Sequence, residues 1–274
     1  MGKFILGLDI STACTGISIV YQDDNKELKP VVVTHLRQKI SSKIKGIEAL
    51  FLKCELFIQK LDEILTDNKL YDKELKTTRI TDVVIEEPLL ASNNQETVAT
   101  LLRYNGMVAY RVYHMLGIVP SFISSYNARM YGVPSLMAVR KFNKKGEQYS
   151  KAKITKAVNN NELVLFGAYP FDCAKKLILW NYVSEKFNGI GWVYNNKGEL
   201  KNENFDASDS LICVLGYVSM LEHGEHKPEV VSVDVGDDNI KYVYRFCGQE
   251  FEKQITFEPP QETYNCAEET ESAK

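Results

Sequence analysis

The chain has 274 residues, 45% of them hydrophobic and 25% charged, with 16 glycines and 8 prolines, a globular composition that excludes a disordered or fibrous protein. Its net charge of -3 at pH 7 does not by itself suggest a nucleic-acid partner, but residues 222–274 carry net -8 and residues 1–221 net +5. No apolar run approaches the ~20 residues of a membrane span, and the start Met-Gly-Lys-Phe-Ile-Leu turns polar too soon for a signal sequence, so a soluble, cytoplasmic protein is expected.

The apolar run Lys3–Leu8 ends in Asp9, and Gly16–Tyr21 follows with strand alternation before the turn-rich Gln22–Lys26, which predicts a hairpin. Pro30–Leu36 is a third strand. Ile44, Ile47, Leu50, Phe51, Cys54, Phe57, Ile58, Leu61, Ile64 and Leu65 recur at helical spacing behind Ser41 or Ser42 as cap. Asp82–Ile85 reads as a buried strand ending in Glu86-Glu87-Pro88, Val98–Leu116 as a second amphipathic helix stopped by Gly117, and Ile118–Ile123 as a fifth strand. Residues 124–172 are less regular. Helices follow at Ala174–Phe187 and Phe205–Leu221, separated by the turn Asn195-Asn-Lys-Gly198. This order predicts an α/β domain over residues 1–223, a mixed five-stranded sheet with helices on both faces. Residues 224–274 read as a small β-rich appendage of three short strands (Val230–Val235, Lys241–Cys247, Phe251–Phe257) with an acidic, disordered end.

Carboxylates close three apolar elements: Asp9, Glu86 or Glu87, and Asp206 with Asp209 in Asn204-Phe-Asp-Ala-Ser-Asp209. Residues i and i+3 share a helix face, so Asp206 and Asp209 can point into one site. Carboxylate oxygens are what hard divalent cations require, and two Mg²⁺ ions ~3.5–4 Å apart can hold the attacking water and leaving oxygen of a phosphodiester. Taken singly, a strand-end Asp is a turn residue and an Asp at a helix start complements the helix dipole. The conjunction, in this order, is what points to phosphodiester hydrolysis.

Three segments carry a family resemblance: Ile5-Leu-Gly-Leu-Asp-Ile-Ser-Thr-Ala-Cys-Thr-Gly16, Val84-Ile-Glu-Glu-Pro-Leu-Leu90 leading to Leu101-Leu-Arg-Tyr-Asn-Gly106, and Asn204-Phe-Asp-Ala-Ser-Asp-Ser210. Together they resemble the RuvC-like Holliday junction resolvases of bacteriophage type, within the ribonuclease H-like superfamily, over residues 3–221. The resemblance implies a ribonuclease H-like fold and a homodimeric endonuclease, dependent on Mg²⁺ (two ions per site, with Mn²⁺ as substitute), that nicks a four-way junction symmetrically. It also implies Asp9, Glu86, Asp206 and Asp209 as metal ligands, choosing Glu86 because the family motif places the ligand first in the acidic pair. Lys176 falls where the family has a lysine beside the active site.

Residues 136–160 hold Arg140, Lys141, Lys144, Lys145, Lys151, Lys153 and Lys156 against Glu147 alone. Any one such lysine is ordinarily a solvated surface charge. As a group they are candidate DNA-backbone contacts, since phosphate neutralisation dominates DNA affinity. Where the cellular resolvases carry an aromatic wedge after the Glu motif, this chain has Leu89 and Leu90, candidate apolar wedges or else anchors of the next helix. The six cysteines include no C-x-x-C pair, which excludes a disulfide framework or zinc ribbon, and His223, His226, Cys247 and Cys266 match no zinc module. Gly7–Gly16 is also similar to the first phosphate loop of sugar kinase and actin-like ATPases, but the second glycine-rich loop those enzymes need is lacking. A nuclease for flaps or forks and a non-catalytic junction-binding relative are the remaining alternatives.

Overall fold

The computed structural model describes residues 2–88 and 94–257. It divides into two compact units: unit 1 contains residues up to 137 together with 172–227, and unit 2 contains 138–171 and the chain from 228 onward. The elements are β1 (Lys3–Ile10), β2 (Thr15–Gln22), β3 (Leu28–Leu36), α1 (Gly46–Asp67), a small hairpin of β4 (Tyr71–Asp72) and β5 (Thr77–Thr78), β6 (Ile80–Glu86), α2 (Gln95–Leu116), β7 (Ser121–Ile123) and α3 (Ser125–Gly132). The chain then enters unit 2 with β8 (Met137–Val139), α4 (Lys151–Asn159) and β9 (Leu163–Leu165). It returns for α5 (Lys175–Lys186) and α6 (Glu203–His223), and ends in unit 2 with β10 (Glu229–Val235), β11 (Asn239–Phe246) and β12 (Gln249–Thr256).

Unit 1 is built on a five-stranded sheet in the order β3-β2-β1-β6-β7. β1, β2 and β3 form an antiparallel meander, and β6 and β7 add parallel to β1. This mixed sheet, with helices on both faces, is a ribonuclease H-like architecture. Alternation along the strands sorts the faces: Leu6, Leu8, Ile10, Ile17, Ile19, Val83 and Ile85 join Leu50, Phe57, Leu61, Tyr104, Val108 and Val112 of α1 and α2 in one core. The opposite side chains of β1, Gly7 and Asp9, face α6. A Cβ on Gly7 would collide with Ser210 O and Val214, and one on Gly16 would run into Asp206 O, so both glycines are needed for α6 to lie this close to the sheet. Ser18 Oγ donates to Ser210 O across the same contact (2.9 Å).

α2 starts as a capped helix: the Asn94 side chain accepts from Glu96 N and Thr97 N, and Gly117 (φ 72°) ends it in the left-handed region. α1 differs from expectation. Neither Ser41 nor Ser42 caps it; the helix begins at Gly46 after Lys45, which offers no side-chain cap, and Ser41 instead closes a turn by accepting from Ile44 N (3.1 Å).

In unit 2, β10, β11 and β12 form an antiparallel meander, as the strand alternation predicts, with Ile240, Tyr242, Tyr244 and Phe246 buried. The unexpected part is what joins them. Residues 138–171, expected within the 1–223 domain, belong to this unit: α4 lies on β10 and β11 and buries Ile154 and Val158, while β8 pairs with β9. Elements of three to nine residues are too short for periodicity to reveal, which is why the stretch reads as irregular. No helix among the described residues is long and apolar enough to cross a membrane.

Candidate active site

Just beyond the Leu8–Ile85 pair of the parallel ladder, Asp9 and Glu86 end neighbouring strands. Glu86 follows Val84 on the α6 side of β6. Glu87 points out to solvent and donates its backbone N–H to Ile123 O (2.8 Å), so of the two acids it is Glu86 that enters the site. α6 brings Asp206, half-buried, and Asp209, only 4% exposed. The negative charges of Glu86, Asp209 and Asp206 all act on Asp9: burial first, and then these three neighbours in that order, push its carboxyl well above the usual range. Burial and then Asp209 push Glu86 up to about 7, and burial likewise raises Asp209.

Two cations oppose this accumulation. Lys176 Nζ, from the first turn of α5, lies 3.5 Å from Asp206 Oδ1, and its charge is felt at Asp9, Glu86 and Asp209. Arg129 Nη2, from α3, lies 3.6 Å from Asp209 Oδ2 and also lowers Glu86. Arg129 is a site residue that sequence reasoning missed. It lies in the stretch read as irregular, and the available signal was the start of an eight-residue helix at Ser124, whose side chain accepts from Asn127 N. α3 can reach the site because Gly216 of α6 packs directly beneath Ala128, where a Cβ would meet Ala128 O.

Two thiols complete the surroundings. Cys213, fully buried on α6, donates to Glu86 Oε2 (3.6 Å); burial, followed by the carboxylates, pushes its thiol up, which keeps it a protonated donor. Cys14 is pushed up to about 12 by burial and by Asp206, to which it is hydrogen-bonded.

Among the described residues, no three or more His, Cys, Asp or Glu side chains are drawn into a metal-holding cluster. In kind, however, the donors suit a hard divalent cation. They are four carboxylates converging from β1, β6 and α6, and burial, with repulsion from neighbouring carboxylates added to it, favours the protonated form of Asp9, Glu86 and Asp209.

The other expected site residues lie elsewhere. Lys141, Lys144, Lys145, Lys151, Lys153 and Lys156 all belong to unit 2. Lys144 and Lys145 are exposed at the tip of a hairpin closed by the Phe142–Gln148 bridge. Lys153 Nζ sits 3.5 Å from the Tyr149 ring centroid, Lys141 Nζ 5.3 Å from that of Phe142, and Lys156 is exposed on α4. Lys151 Nζ donates to Gly236 O and Asp237 O at the β10–β11 turn. Leu89, Leu90 and Cys266 lie outside the described residues.

No protein-family model matches the chain, and no curated relative does. Solved structures do match it. The T. thermophilus RuvC in complex with Holliday junction substrate is 10% identical, covering 82% of this chain and 97% of that one, with a TM-score of 0.43. The yeast mitochondrial Holliday junction resolvase Ydc2 is 12% identical over 78% and 77% of the two chains (TM-score 0.40). An Aquifex aeolicus member of the Ppx/GppA family is 8% identical over 94% of this chain and 52% of that one (TM-score 0.32). Each of these likenesses is remote in both sequence and structure. The architecture itself rests on the strand order and directions described above.

Proposed function

We propose that the chain is a Mg²⁺-dependent endodeoxyribonuclease that works as a homodimer on four-way DNA junctions, hydrolysing one phosphodiester in each of two strands. The observation that supports this reading is the convergence of Asp9, Glu86, Asp206 and Asp209 at the ends of β1 and β6 and the start of α6. Mg²⁺ held by these carboxylates, or Mn²⁺ in its place, would supply Lewis-acid stabilisation of the phosphate and a water acidified enough to attack it near neutral pH.

The chain's own residues have separable tasks. Asp9, on which the other three carboxylates act, would be a ligand of the ion, with Glu86, Asp206 and Asp209 beside it. Arg129 fixes Asp209, and the Cys213 thiol orients Glu86. Lys176, 56% exposed on its side chain, is placed to hold a non-bridging oxygen of a strand entering beside Asp206. Exposed lysines of unit 2 would contribute phosphate contacts. For the second protomer, α1 and α2 leave Phe51, Leu56, Leu102, Tyr110 and Tyr113 exposed, apolar groups that a copy of the chain would cover in part.

The direct test is cleavage of a labelled four-way junction beside linear duplex, flap and fork controls, with Mg²⁺ or EDTA, and with Asp9→Asn. Paired symmetric nicks in the junction alone, lost with EDTA and in a variant that still binds, are expected. Cleavage mainly of flaps or forks would replace junction resolution with a broader branched-DNA nuclease. Tight junction binding by the wild type without cleavage would make the protein a non-catalytic relative.

A further inference from the structure

Between α5 and α6 the chain makes a hairpin closed by the Tyr194–Leu200 bridge, and this hairpin is anchored to the candidate site from both sides. Asn204, 1% exposed, spends its whole side chain on the hairpin base: its Oδ1 accepts from Val193 N (2.9 Å), and its Nδ2 donates to Val193 O (2.6 Å) and Lys201 O (3.0 Å). Asn204 precedes Asp206 by two residues on α6. On the other side Trp192 meets Trp180 of α5 edge-on, with centroids 5.8 Å apart, and α5 is the helix that carries Lys176.

The tip is equally fixed. Asn195 N donates to Glu199 O (2.9 Å) and Gly198 N to Asn195 O (3.0 Å). Lys197 N and Glu199 N both donate to Asn195 Oδ1 (2.8 and 3.0 Å), and Asn195 Nδ2 donates to Glu199 Oε2 (2.7 Å). Gly198 supplies the left-handed residue the turn needs (φ 79°). The polar groups of the tip therefore satisfy one another, and Tyr194 and Lys197 are held out to solvent; among the described residues neither side chain has a hydrogen-bond or ion-pair partner. Tyr194 is 49% exposed and Val193 37%. Around the same end of α6 stand Lys176, Lys201 and Arg37, the last paired with Glu203 (3.1 Å). A rigid projection with an aromatic ring and a free ammonium, beside a carboxylate site rimmed by bases, matches the chemistry of a nucleic-acid backbone and its bases, in which phosphates take ammonium groups and rings stack on exposed bases.

We propose that the hairpin 193–201 is a guide for the DNA strand entering the carboxylate site, Lys197 taking a phosphate and Tyr194 packing on a nucleotide next to the scissile one. This rests on the nuclease reading and adds to it a substrate-positioning element. A matched control exists in the same unit. Asp23–Glu27 closes the β2–β3 connection with the same backbone pattern (Asp23 N to Glu27 O, 3.0 Å; Lys26 N to Asp23 O, 2.9 Å), and its Lys26 lies 3.6 Å from Glu222, in the last turn of α6. Glu222 lies 16 residues beyond Asp206 on α6, which is about 24 Å along the helix.

The experiment measures binding of a four-way junction in Ca²⁺ across a salt series, and cleavage in Mg²⁺, for the wild-type full chain, Lys197→Glu, Tyr194→Ala and Lys26→Glu, each checked for an unchanged unfolding midpoint. Lys197→Glu is expected to weaken binding roughly tenfold and to reduce the salt slope by about one, while Lys26→Glu leaves both at the wild-type value. Tyr194→Ala is expected to weaken binding about tenfold with the slope retained, and to blur the cleavage position. Wild-type binding and cleavage with both hairpin variants indistinguishable from it, or with Lys26→Glu equally impaired, would overturn the hairpin proposal alone. A wild-type chain that binds no branched DNA would overturn it together with the nuclease reading.

Discussion

In unit 1, four acidic side chains from three elements are forced into one neighbourhood, and Asp9 feels the other three; in unit 2, six lysines on one stretch of chain disperse, some to local partners and some to solvent. The difference follows from backbone geometry. Strand alternation leaves Asp9 and Glu86 no face but the one toward α6, and Gly7 and Gly16 let α6 approach until Asp209 is buried beside them. The basic segment has no such constraint. Lys151 ties down a turn, Lys153 covers Tyr149, and Lys144 and Lys145 sit at a hairpin tip. Convergent charge that folding must work to assemble is a stronger sign of chemistry than abundant charge along a segment.

The sharpest way to break this contrast is at the carboxylates. Asp9→Asn and Glu86→Gln are each expected to reduce cleavage by more than about 100-fold, beyond the loss typical of partners that only orient a ligand. Glu87→Gln, next to Glu86 but turned to solvent, is expected to cleave at the wild-type rate. Arg129→Gln should fall between them, at roughly 10- to 100-fold, with partial recovery in Arg129→Lys; steady-state cleavage of a labelled junction ranks all five.

A smaller effect is expected from packing. Gly16→Ala puts a methyl group where Asp206 O now lies, and should cost about 1–3 kcal/mol in denaturant unfolding while displacing the start of α6 and slowing cleavage. In unit 2, Lys144→Glu with Lys145→Glu is expected to lower junction affinity and flatten its salt dependence. Lys151→Ala should instead lower stability and leave the salt slope alone, because its ammonium serves two backbone carbonyls. An equal loss of slope in both would show that the segment acts as one basic patch.

The smallest expected effect is on pH-dependent stability. Glu86 is raised from its ordinary 4.5 to about 7, and Asp9 and Asp209 are raised as well, so between these values the folded protein holds protons that the unfolded chain has released. Stability of the metal-free protein should therefore decline as pH rises from about 4.5 through 7, and Glu86→Gln should flatten part of that decline. Thermal unfolding in EDTA across this range measures it.

Much of unit 1 was legible because its signals are long or positional. The strand runs ending in Asp9 and Glu86, the 22-residue helices α1 and α2, and the Asp206–Asp209 spacing each carry their structure in their own pattern. What stayed hidden depends on contacts between distant short elements. Arg129 matters only because a glycine in α6 lets an eight-residue helix cross it closely, and Cys213 only because α6 buries it against Glu86. Residues 138–171 join the C-terminal strands through α4, whose nine residues show too little periodicity to reveal a partner nearly 80 residues downstream. Ser41 and Ser42 illustrate the reverse error: good capping residues whose turn closes before the helix begins.

The most direct measurement is anomalous scattering from Mn²⁺ in crystals of the full chain bound to a junction made uncleavable by phosphorothioate at the scissile position. Mn²⁺ among Asp9, Glu86, Asp206 and Asp209, beside that phosphate and absent from the Asp9→Asn crystal, is the expected result. Junction bound with Mn²⁺ located away from these carboxylates, or not bound at all in saturating metal, would contradict the assignment of the site.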